Sequence, residues 1–137
     1  MNQKLMRLLN IHIYPVEESD KNMMQNKWDI PEISKIIKES KYPKGTLDIL
    51  KYTLGEMHKR GIILTELQLT VLTNHLAEMV MRSRDNNPLD PVDEALFNGV
   101  SDKSLDLAKN ITERIGNLAP SEPLVLSIHF ENAIENN

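Results

Sequence analysis

The stretch from Thr65 to Arg84 constrains the fold of this chain more than any other. Thr65-Glu66-Leu67-Gln68 is a capping box of the T-x-x-Q kind, which opens a helix by satisfying two orphan backbone donors. Behind it, Leu67, Val71, Leu72, Leu76, Met79 and Val80 recur at intervals that give a helix an apolar face through about Ser83. His75 sits inside that run, and Arg82 follows it by seven residues. A helix of about 3.6 residues per turn returns to nearly the same face after seven steps. The imidazole and the guanidinium therefore share one stripe, two turns apart. A second run, Glu122-Pro123-Leu124-Val125-Leu126-Ser127-Ile128-His129-Phe130, repeats the device, with Glu122 seven residues ahead of His129. The rest of the chain reads as scaffold for these two runs.

That scaffold is expected to be all-α. Asp29-Ile30-Pro31-Glu32 offers an N-cap, a proline in the first turn and a glutamate at N3, predicting a short helix to about Ser40 with Ile33, Ile36 and Ile37 on one face. Lys41 to Gly45 breaks it. From Thr46 the pattern sharpens. Thr46 is the expected cap of a helix with Leu47, Ile49, Leu50, Leu54 and Met57 as its face, closed by Lys59-Arg60-Gly61. Asp85-Asn86-Asn87-Pro88 ends the His75 helix. Asp90-Pro91-Val92-Asp93 starts a short one to about Asn98. Ser101 caps the next, with Leu105, Ala108, Ile111 and Ile115 inward and Gly116-Asn117 at its end. Ser121 caps the last, with Ile128, Phe130, Ala133 and Ile134 apolar. The expectation is a five-helix bundle over 46–137, long, long, short, long, long, with short connections that make neighbours antiparallel. Residues 1–45 are expected to form an N-terminal extension, a short strand or arm around Leu8 to Tyr14 followed by the short helix.

Composition narrows the function classes. The chain of 137 residues contains no cysteine, which excludes disulfides, thiol nucleophiles and thiolate-held metals. Net charge is −4, and no run of Lys or Arg exceeds two residues, so direct nucleic-acid binding is not expected. No apolar run is long enough to span a bilayer, and Asn10 and His12 interrupt the apolar stretch after Lys4 and Arg7, so neither a membrane span nor a secretory signal is expected. A cytoplasmic location follows as the expectation. Glycine-rich phosphate loops and serine elbows are missing, so the chain is not expected to be an enzyme. Neither a cofactor nor a metal is expected; His75, His129 and Glu122 are potential ligands but show no H-E-x-x-H spacing.

The two runs together resemble the PTS regulation domain (PRD), a module of the bacterial phosphotransferase system. The first hallmark is a histidine, an arginine seven residues on, and a loop ending in Asn-Pro-Leu, here His75, Arg82 and Asn87-Pro88-Leu89. The second is a glycine before the last helix, then a glutamate seven residues ahead of a histidine and an apolar residue, here Gly116, Glu122, His129 and Phe130. The resemblance covers 46–135. It departs at Asn74, where the family often has Asp, and at Phe97-Asn98-Gly99-Val100, where it often has Tyr-Pro.

The resemblance implies a standalone, homodimeric PRD, phosphorylated on His75 and His129 by the phosphocarrier HPr or a sugar-permease component and controlling a partner or operon transcription. The chemistry is consistent with these residue types. Imidazole is partly free at neutral pH, and phosphate brings a charge near −2 that a guanidinium stabilises. Arg82 or Arg84 suits that role. Glu122 is suited to orienting a neutral imidazole, and Asn74, the residue before His75, bears on how that ring is oriented. The competing reading makes each feature structural: hydrogen-bonded helix histidines (including His12 and His58), a solvated arginine end, and a first-turn carboxylate favoured by the helix dipole. The chain is then a non-phosphorylated helical interaction module.

Overall fold

Proline, capping side chains and left-handed residues divide the chain into helices. The computed structural model describes residues 30–135. Among them, α1 spans Pro31–Glu39, α2 Pro43–Lys59, α3 Glu66–Arg84, α4 Asp102–Ile115 and α5 Glu122–Glu135, with one short 3-10 helix at Glu94–Phe97. The all-α expectation holds, and from α2 onward the order is long, long, short, long, long. The strand or arm expected near Leu8 lies outside the described residues, and the N-cap of α1 is Ile30, without a side-chain cap bond, rather than Asp29.

Local chemistry explains most boundaries. The Thr65 hydroxyl accepts from the Gln68 amide while the Gln68 side chain accepts from Thr65 N–H, so both halves of the capping box form. At the end of α2, Gly61 takes φ +67°, and Gly61 and Ile62 donate to the His58 and Met57 carbonyls, a Schellman closure. Asn86 plays the glycine's part after α3, at φ +52°, with Asn87 donating back to Arg82. One boundary differs from the sequence reading. Helix α2 starts at Pro43, with Tyr42 as N-cap, and Thr46 lies inside it. Proline at the first helical position has its φ already set, and the Thr46 hydroxyl bonds the Tyr42 carbonyl.

Helix α3 packs against every other α-helix. Its Leu72, Leu76 and Met79 are fully buried beside Leu50 and Met57 of α2, Leu107 and Ile111 of α4, and Phe130 of α5. Two expected inward residues point out: Leu67 is 73% and Val71 47% exposed. Leu69 is buried instead, because the stripe through 69, 72, 76 and 79 faces the bundle axis. On α5, Leu126 is likewise buried while Ile128 is 36% exposed. Helix α1 adds Ile33 and Ile37 to the same core.

Gly45 governs how closely α2 approaches α3. A Cβ there would lie 2.6 Å from Arg84 Nη2 and 3.2 Å from Val80 Cγ1. The guanidinium of Arg84 in turn stands 5.0 Å from the centroid of the Tyr42 ring. Tyr42 and Lys41 both donate to the Asp85 carboxylate, fastening the α1–α2 junction to the end of α3.

Ile33 is 2% exposed, so Ile33→Ala is expected to cost about 2–5 kcal/mol of stability. Urea denaturation checks this; a loss below about 1 kcal/mol would show that α1 is not part of the core.

Candidate functional site

Antiparallel helices in fixed register turn a shared seven-residue interval into a ladder. Helix α3 carries His75 and Arg82; α5 carries Glu122 and His129. Moving seven residues along α3 corresponds to moving seven back along α5, so each residue meets its counterpart. On one rung His75 Nδ1 lies 2.7 Å from His129 Nε2. On the other, Arg82 Nε and Nη2 donate to the two Glu122 oxygens at 2.7 and 2.8 Å. The rungs are about 10 Å apart along the helices, at 1.5 Å rise per residue.

The lower rung is a buried, bidentate ion pair. Glu122 is 0% exposed and the Arg82 side chain 13%. A carboxylate so placed needs both oxygens satisfied, and the guanidinium fork matches that geometry. Glu122 also opens α5, where the helix N-terminus favours negative charge. Its hydrogen bond holds Arg82 above the usual arginine pKa, with the Glu122 and Glu78 charges adding to the effect.

The loop before α5 sets this rung. Gly116 takes φ +77° and Asn117 φ +49°, turning the chain sharply after α4. The Asn117 amide donates to the Ser83 carbonyl at 2.6 Å and to Asn86, and the Ser83 hydroxyl donates to the Gly116 carbonyl at 2.7 Å. Ser83 adjoins Arg82, so these bonds anchor the end of α3 beside the turn that leads to Glu122. At the far end of α5, Glu131 accepts from the Ser101 and Ser104 hydroxyls and the Ser101 N–H, which ties α5 to the start of α4. His129 is held between these two anchors.

The upper rung pairs two rings with centroids 4.8 Å apart, tilted by 54°. His75 is 9% exposed and His129 half-buried. Burial pushes His75 from its ordinary value down to about 4, with the His129 ring and the Arg82 charge acting in the same direction. Burial lowers His129 as well. Both rings are therefore neutral at neutral pH, each with one N–H and one lone pair.

Four of the six residues singled out in the sequence thus meet: His75, His129, Arg82 and Glu122. Both Glu122 oxygens bond Arg82, and the rings orient each other. Arg84 lies elsewhere, over Tyr42, in a groove lined also by Gly45, Asp48 and Arg114. Asn74 is exposed and lines a groove between α1 and α3 with Ile36, Ser40 and Met81. Ser83, Asn117 and Glu131 were not singled out in the sequence as site residues. Asn117 beside Gly116 is a turn signal, but nothing local marks the reach to Ser83. Among the described residues, no three His, Asp or Glu side chains gather as a metal site, and no helix is long and apolar enough to cross a membrane.

No protein-family model matches the chain, and no curated protein matches it significantly. Among solved structures it is similar to a PRD-containing transcription regulator from Lactobacillus casei ATCC 334. The two are 40% identical, with a TM-score of 0.74, over 77% of this chain and 95% of that one.

Removing one partner of the lower rung strands the other in the interior. Arg82→Met and Glu122→Leu are each expected to cost about 3–5 kcal/mol alone, whereas the double variant should cost much less than the two single losses combined. Urea unfolding of the four proteins measures this; additive losses would show that the two residues are not coupled.

Proposed function

The chain belongs to the PTS regulation domain family, and on that premise we propose that it accepts phosphate on histidine as a regulatory module of the phosphotransferase system. The acceptors are His75 and His129, and the donor is the phosphocarrier HPr or a sugar-permease component. The module acts without catalysing a reaction of its own, in the cytoplasm and as a homodimer. Its output is control of a partner or of operon transcription, in keeping with the regulator from Lactobacillus casei that it resembles.

The observation that carries this reading is the meeting of two neutral imidazoles on one rung, beside an arginine held on the next. Neutral imidazole is the nucleophilic form. Phosphate on either ring brings a charge near −2 into a region where the Arg82 charge is already balanced by Glu122. Two responses follow from that imbalance. Arg82 turns toward the phosphate and leaves a buried carboxylate short of a partner, or α5 shifts on α3. Either changes the surface the bundle presents to a second subunit.

A second reading keeps the ladder purely structural. It is favoured by the low exposure of His75 and by the fact that each ring already has a partner. The chain is then a helical interaction module whose binding does not depend on phosphate.

Incubation with phosphoenolpyruvate, enzyme I and HPr, or with a permease phosphoryl domain, separates the two. The expected result is alkali-stable, acid-labile label that falls at least tenfold in the His75→Asn, His129→Asn double variant. Unlabelled protein, alongside a labelled control PRD, would overturn the phosphohistidine reading in favour of the structural one.

A further inference from the structure

A hydrogen bond between His75 Nδ1 and His129 Nε2 uses one proton, and there are two ways to supply it. If His75 Nδ1 donates, His129 accepts at Nε2 and keeps its own proton on Nδ1. The remaining lone pair of the pair of rings is then on His75 Nε2. If His129 Nε2 donates, His75 accepts at Nδ1 and carries its proton on Nε2. The remaining lone pair is then on His129 Nδ1. In either arrangement only one far nitrogen is free to attack.

We propose that His75 and His129 form a single acceptor that takes one phosphoryl group in total, the unmodified ring receiving the displaced proton. This rests on the phosphohistidine reading above and concerns its stoichiometry. The phosphorus–nitrogen bond of the donor phosphohistidine breaks as a new one forms at the free far nitrogen. The bonding electrons leave with the donor imidazole, which takes a proton from solvent. The accepting ring still carries a proton on its near nitrogen, and that proton crosses the existing hydrogen bond. The neighbouring ring becomes an imidazolium, with no lone pair on either nitrogen. It is closed to a second phosphate while it holds that proton, and its charge offsets part of the phosphate's.

The test counts phosphates. With His12→Gln and His58→Gln, His75 and His129 are the two imidazoles left in the chain. This parent is phosphorylated to completion with phosphoenolpyruvate, enzyme I and HPr, and its intact mass is read at mildly alkaline pH. The expected count is one phosphate, on one ring or the other. Adding His75→Asn should leave one phosphate on His129, and adding His129→Asn one on His75, so the two variants together carry twice the parent's label. Circular dichroism checks folding, and glutamine replaces asparagine where a variant does not fold. Two phosphates on the parent overturn the single acceptor while leaving the phosphohistidine reading intact. A single phosphate that one folded variant cannot take up shows a lone site and also overturns it. A parent that takes no phosphate, beside a labelled control, overturns both.

Discussion

The buried pair of Arg82 and Glu122 is the constraint from which the rest of the site follows. A carboxylate with no exposed surface is tolerated only where a cation meets both its oxygens. That requirement fixes α5 on α3 in one register and at one rotation. A one-residue slip would turn Glu122 by about 100° around its helix and leave two charges unpaired in the interior. Such pairs add little net stability compared with apolar residues of the same shape, but they specify an arrangement where apolar contacts alone would tolerate several. Once that rung is set, His129 has one place to be, and it is against His75.

The chain surrounds this rung with short anchors. Ser83 and Asn117 close the lower end, and Ser101, Ser104 and Glu131 hold the upper part of α5 to α4. Three of these bonds reach backbone groups at a helix end or turn that lack helical partners: the Ser83 and Gly116 carbonyls and the Ser101 N–H. A modification at the histidine rung therefore acts on helices whose ends are pinned.

Much of this architecture is legible in the sequence, for identifiable reasons. The capping box at Thr65, the glycine at 61 and the proline at 31 act locally, so they mark helix ends without knowledge of the fold. The paired intervals from His75 to Arg82 and from Glu122 to His129 place each pair on one face. They do not say that the faces oppose each other, because the register of two helices is a tertiary property. The same limit explains why Arg84 and Asn74 stood beside Arg82 and His75 in the sequence reading. Asn74 is one residue from His75 and about 100° away around the helix, and Arg84 is two residues from Arg82 and about 200° away. These turns carry Arg84 over Tyr42 and Asn74 to the groove beside α1. Leu67 and Val71 looked inward because α3 is apolar round much of its circumference, and only its packing on the other four helices selects the buried stripe.

Two neutral rings sharing one proton are the centre of the site. Long-range proton–nitrogen correlation spectra of nitrogen-15 labelled protein, followed through a pH titration, read this directly. At neutral pH each ring should show one protonated and one bare nitrogen, with a bridging proton between His75 Nδ1 and His129 Nε2, and His75 should stay neutral until the pH falls toward about 4. Two rings titrating independently near the ordinary value of about 6.5, with no proton between them, would contradict it.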